Sequence, residues 1–149
     1  ADGNLKNWWT DKDKTRFNQN AQKLVAQFNS YVVIDSLTIN GQLTLGENIA
    51  DLGGLTIAYA AFQKTENAKS KTLLDGFTPQ QRFFINFAQV WRNNIRPEEL
   101  KKRLKTDPHS PGKFRANGTV RNMPEFYEAF KITKENKLYL APEQRVEIW

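Results

Sequence analysis

The chain has no cysteine, a single methionine and a single histidine, His109. Without cysteine there are no disulfides, no thiol nucleophile and no cysteine-ligated zinc. No apolar run approaches the ~20 residues that cross a bilayer. The opening ADGNLKNWWTD lacks the basic start and apolar stretch of a signal peptide. An initiator methionine is missing too, and Ala1-Asp2-Gly3 reads like the middle of a loop. We therefore expect a segment cut from a longer protein. Internal repeats and low-complexity tracts are likewise absent.

What is present describes a globular chain. Its 149 residues are 39% hydrophobic and 12% aromatic, enough for one domain with a real core. The net charge of +6 raises the question of an anionic partner. The densest basic cluster, KKRLK (Lys101 to Lys105), directly follows Glu98 and Glu99. Acids first and bases last is the order a helix dipole favours. The charge thus reads as a solvated basic face, and no nucleic-acid partner is expected.

Local signals predict a mainly α fold with one small hairpin. Thr10 opens a capping box with Asp13, and Phe17, Ala21, Leu24, Val25, Phe28 and Val32 recur at helical spacing. This predicts a helix over about Asp11 to Tyr31. Leu37-Thr38-Ile39 and Leu43-Thr44-Leu45 alternate around Asn40-Gly41, a strong hairpin signal. A helical stripe then runs from Glu47 to about Gln63, with Gly53-Gly54 inside it. Each glycine costs about 1 kcal/mol against alanine there, so a second backbone is expected to pack on the pair. Thr65 to Lys71 reads as a loop. Thr78-Pro79-Gln80-Gln81 starts an aromatic helix that reaches Trp91. Pro97 restarts a short helix ending near Leu104, and TDPHSPGKFRANG reads as a loop. Asn122 is the expected cap of a last short helix, with Glu125 at its third position.

Three features could carry chemistry. Glu47 and Asp51 lie four residues apart, on one helix face. Read blandly, they are a solvated face; read functionally, a metal ligand and the partner that supports it. His109, between Pro108 and Pro111 and near Asp107 and Arg115, is either a solvated loop histidine or a donor to a developing oxyanion. Trp91 is either a core aromatic or the wall of a side-chain pocket.

Together, NGQLTLGENIADLGGLTIAYAAF, FFINFAQVWR, RPEELKKRLKTDPHSPGKFRANGTVRNMPEFYEAF and the terminal IW resemble the C-terminal part of the neprilysin family. That family, which includes endothelin-converting enzymes and bacterial oligopeptidases, consists of zinc metallopeptidases. The resemblance runs through almost the whole chain and rests on E-N-x-x-A-D followed by H-S-P-x-x-F-R. It implies a helical segment of a zincin-type (α+β) domain, residues 1–149 forming one fragment of it. Glu47 would be the third zinc ligand, beside two histidines of an H-E-x-x-H helix. Asp51 would accept a hydrogen bond from one of those histidines. His109 would stabilise the tetrahedral intermediate, Arg115 would hold a substrate carbonyl, and Trp91 would line the pocket for the residue after the scissile bond. Asp107 is inferred, from adjacency alone, to orient His109.

The chain departs from the family by containing no H-E-x-x-H. Zinc is therefore expected in the full-length parent and not in this fragment, which should cleave nothing. Peptides are the implied substrates. An uncovered apolar face near Glu47 and Trp91 is expected to make the fragment self-associate. Animal members carry disulfides, so the absence of cysteine implies a bacterial-type, extracytoplasmic member whose tail is held by packing. Two alternatives stand beside this reading: a non-catalytic helical interaction module on the same fold and, more weakly, an anionic-ligand binder.

Overall fold

A computed structural model describes residues 3–148. Ala1, Asp2 and Trp149, the last of the terminal apolar pair, lie outside the described residues. The capping box forms: Asp13 N–H donates to Thr10 Oγ1 and Thr10 N–H to Asp13 Oδ2. It opens α1 (Asp11–Asn29), which buries Ala21, Leu24, Val25 and Phe28. The helix stops short of Tyr31, whose ring instead stacks on Phe114 at 5.3 Å.

The small hairpin is present, but one step upstream of Asn40-Gly41. Strands β1 (Val32–Ile34) and β2 (Leu37–Thr38) pair antiparallel, Val32 opposite Thr38 and Ile34 opposite Leu37. The turn is Asp35-Ser36, with Asp35 in the left-handed region at φ 53°. Asn40-Gly41 makes a different corner. A Cβ on Gly41 would collide with the Val25 carbonyl of α1, and its N–H donates to Asn29 Oδ1 at 2.7 Å. Glycine is needed there for the close approach of two backbones. Leu43-Thr44-Leu45 is consequently no strand, because Leu45 already begins α2 (Leu45–Phe62).

α2 runs unbroken through Gly53-Gly54. Gly53 is buried, whereas Gly54 is exposed with open space around its Cα. The expected second backbone is thus absent at Gly54 among the described residues. Two further expectations of loop are overturned. Thr65 caps a single turn, α3 (Glu66–Lys69), by accepting from Ala68 N–H. More consequentially, α6 (Gly112–Val120) replaces the second half of the loop expected over TDPHSPGKFRANG. It follows α4 (Pro79–Val90) and α5 (Pro97–Thr106). Its glycines and asparagine disfavour a helix locally, but packing overrides propensity. Ala116 and Val120 are buried, and a Cβ on Gly118 would stand 2.8 Å from the Phe28 ring.

The last helix, α7 (Pro124–Phe130), is entered from Met123, with Pro124 in its first turn. Asn122 is therefore not its cap. Instead its amide joins three segments: it donates to the Gly118 carbonyl, exchanges hydrogen bonds with Gln27 and accepts from Val146 N–H at 2.8 Å. This hub holds the tail without a disulfide, and Val146 and Ile148 are buried. The core gathers Phe28, Leu24, Ile39 and Met123 beneath Leu52, Leu55, Tyr59 and Phe84. α2 packs on α1 and α6, and α4 packs on α6 and α7. Lys101 of α5 reaches Asp35 in the hairpin at 2.8 Å, so the KKRLK cluster is a helix surface, with Glu99–Arg103 bridged along it. No described helix is long and apolar enough to cross a membrane.

Candidate active site

Three elements meet where α2 begins. α2 itself carries Glu47 and Asp51, and its spacing puts both on one face as predicted. The loop between α5 and α6 carries Asp107 and His109. α6 carries Arg115 toward α2, because Gly112 lets the start of α6 lie directly against the Trp91 carbonyl, where a Cβ would collide. Trp91 itself closes the end of α4.

Arg115 decides the electrostatics. Its Nε donates to Asp51 Oδ2 and its Nη2 to Asp51 Oδ1, both at 2.7 Å. This is a bidentate fork, the strongest geometry for such a pair. Nη2 also approaches Glu47 Oε2 at 3.4 Å. The guanidinium carbon sits 3.9 Å from the centroid of the Trp91 ring, in cation–π contact. Hydrogen bonding to Asp51 raises the Arg115 pKa further above its already high value. Asp51 and Arg115 side chains are 9% and 12% exposed, against 39% for Glu47. Both oxygens of the inner acid are therefore engaged, and the outer acid remains open to solvent.

His109 is held from both sides. Its Nδ1 lies 2.7 Å from Asp107 Oδ1, and its backbone N–H donates to the same oxygen at 2.9 Å. These two hydrogen bonds hold the Asp107 carboxyl below the usual aspartate range. With Nδ1 committed to Asp107, Nε2 faces Glu47 Oε2 at 3.3 Å. A cavity of about 230 Å³ opens beside these groups, lined by Trp91, Ile95, Leu104, His109 and Arg115 among others. The indole Nε1 of Trp91 is buried and has no hydrogen-bond partner among the described residues.

All six residues singled out in the sequence, Glu47, Asp51, Trp91, Asp107, His109 and Arg115, are thus brought into one cluster. Sequence reasoning missed the layer below them. Asn48 and Ser110, the next residue after Glu47 and after His109, are buried and hydrogen-bonded to each other at 2.8 Å. Their place inside E-N-x-x-A-D and H-S-P was the available signal.

Residues 1–146 match the family model described as Peptidase family M13. Human neprilysin is 44% identical over 154 residues, covering 99% of this chain and 20% of that protein. Rat endothelin-converting enzyme 1 is 41% identical over 151 residues, covering 99% of this chain and 19% of that protein. Among solved structures, an inhibitor complex of the Mycobacterium tuberculosis zinc metalloprotease Zmp1 superposes with a TM-score of 0.93 at 44% identity, over 99% of this chain and 23% of that one. PepO from Lactobacillus rhamnosis gives 0.84 at 36% identity, over 99% of this chain and 22% of that one. The chain therefore spans about a fifth of the length of these relatives.

Proposed function

This chain belongs to Peptidase family M13, and we propose that it is the C-terminal part of the catalytic domain of a zinc-dependent endopeptidase acting on short peptides. The observation that carries the proposal is the convergence of Glu47, Asp51, His109 and Arg115, with His109 against Glu47, Glu47 against Arg115 and Arg115 against Asp51. A merely solvated helix face gives no reason for a histidine and an arginine from other segments to meet there.

Taken alone, the chain is a poor host for zinc. Asp51 has both oxygens on Arg115, and Asp107 is engaged by His109. Among the described residues no three histidine, aspartate, glutamate or cysteine side chains gather to hold an ion. Glu47 is the carboxylate with an open edge, and we assign it as one ligand, the remaining ones lying outside this segment. Zinc held there would supply polarisation of a water for attack on the peptide carbonyl.

The chain's own residues do the rest. Asp107 fixes the His109 ring with Nε2 turned into the space beside Glu47, and the doubly protonated ring donates from Nε2 to an oxyanion there. Asp51 and the Trp91 face hold the Arg115 fork in plane. Nη1, which has no hydrogen bond among the described residues, is left to donate to a substrate carbonyl. The cavity beside Trp91 is smaller than the ~300–1,000 Å³ of whole-ligand pockets and suits the single side chain after the scissile bond. The extracytoplasmic, bacterial setting belongs to the same proposal and rests on the family resemblance.

Calorimetric titration with zinc tests the assignment. The 149-residue chain shows no tight site and leaves peptides uncut, whereas the full-length protein binds zinc and loses it in Glu47→Gln. A submicromolar site in the short chain, or full-length zinc binding indifferent to Glu47→Gln, contradicts it.

A further inference from the structure

We propose that Asn48 and Ser110 are positioning residues: their buried hydrogen bond fixes the His109 loop against the Glu47 helix and so sets the spacing of the two functional side chains. The inference rests on the functional reading above and adds residues that reading does not use.

The contact between His109 and Glu47 is too weak to set its own length. It spans 3.3 Å between side chains that are 48% and 39% exposed, and even a full ion pair so exposed contributes little. Directly beneath it lies a different kind of contact. Asn48 is 2% exposed, Ser110 3% and Thr44 3%. Ser110 Oγ donates to Asn48 Oδ1 at 2.8 Å. Asn48 Nδ2 donates to Thr44 Oγ1 at 2.9 Å, and Thr44 Oγ1 donates to the Asn40 carbonyl at 3.1 Å. The relay thus begins at the residue after His109 and ends on the corner that launches α2.

Ser110, Asn48 and Thr44 are all out of water, so breaking a link between them strands a polar group in the interior. A displaced loop would strand two, the Ser110 hydroxyl and the Asn48 carbonyl. The exposed pair above gives no comparable penalty. Register between loop and helix is therefore held from below, through residues buried beneath the two functional side chains. Glu47 and His109 inherit that register because each is the immediate chain neighbour of a relay member.

The test is a double-mutant cycle in the full-length peptidase. Ser110→Ala and Asn48→Ala each lower kcat about tenfold or more, since displacements of ~1 Å at a reacting centre cost up to 10²-fold. KM stays within about twofold. The double variant loses no more than Asn48→Ala alone, because Asn48→Ala already breaks the bond that Ser110→Ala removes. Unchanged kcat, or losses that multiply, overturns the proposal. An inactive wild-type protein sinks the peptidase reading instead, and the positioning role is then decided on the 149-residue chain by NMR. Wild type shows a nuclear Overhauser contact between the His109 ring and the Glu47 side chain. Ser110→Ala loses it while the Leu24 and Ile39 methyl signals stay in place; retention of the contact refutes the proposal. Should Ser110→Ala misfold, Ser110→Cys, nearly isosteric with a weaker donor, is read in its place against the same criterion.

Discussion

Replacing Arg115 by leucine is the most demanding perturbation of the cluster. It removes both hydrogen bonds to Asp51, whose side chain is 9% exposed, and leaves that carboxylate without a partner. Breaking a buried pair from one side costs ~3–5 kcal/mol. The open Glu47 edge lets some water in, which argues for the lower end. Lost cation–π contact with Trp91 adds about 1 kcal/mol, and unmasked repulsion between Glu47 and Asp51 adds ~0.2–0.5 kcal/mol. Leucine packing on the indole returns about 1 kcal/mol. The net expectation is a loss of about 3 kcal/mol at pH 7, a fall in Tm of roughly 6–12 °C for a chain of this size. Urea unfolding followed by circular dichroism measures it. The paired change Arg115→Leu with Asp51→Leu should recover to within about 1 kcal/mol of wild type, because no charge is then stranded. A loss below about 0.5 kcal/mol refutes the reasoning.

Two further outcomes follow from the same geometry. The Asp107 carboxyl is held below its usual range by hydrogen bonds from the His109 backbone and ring. Its stabilising contribution is therefore complete above the ordinary aspartate value of about 3.9 and is lost as pH falls through the lower folded value. Asp107→Asn should lower Tm at pH 7 and converge with wild type in strong acid; a deficit independent of pH contradicts this. The second concerns the outer face of α2, where Ala50, Gly54, Ala58 and Ala61 are exposed beside Ile57, itself 69% exposed. Sedimentation should show concentration-dependent dimers of this chain that Ile57→Glu abolishes. Monomers alone at millimolar concentration argue against pairing through that face.

What was legible in the sequence was local. The caps at Thr10 and Thr78 depend on side chains three residues away, and both formed as read. So did the shared face of Glu47 and Asp51, which needs only the helical repeat. The turn missed at α3 was local, capped by Thr65, but the larger failures have tertiary causes. Asn40-Gly41 imitates a hairpin turn, yet its glycine answers to the Val25 carbonyl of α1. GKFRANG looks like loop because Gly112 and Gly118 weaken a helix, but each is required by a close neighbour, the Trp91 carbonyl and the Phe28 ring. No periodicity carries that information. The Arg115–Asp51 fork spans 64 positions and was invisible to spacing. Family resemblance had linked both residues to groups outside this chain, and so did not anticipate that they bind each other.

That fork also explains why two acids can share one helix face. A single guanidinium does not neutralise them equally. It gives two short hydrogen bonds to Asp51 and one approach of 3.4 Å to Glu47. The asymmetry follows from depth, because the Trp91 face and Asp51 fix the plane of Arg115 before Glu47 is reached. Asp51 can then sit in a nearly closed position, since both its oxygens face a guanidinium. Glu47 is left with its charge incompletely matched and an edge open to solvent. An anionic oxygen in that condition is the one able to accept a cation from outside, whereas Asp51 would first have to surrender its arginine. The unequal environment of the two carboxylates is thus built by Arg115, 64 positions along the chain from Asp51.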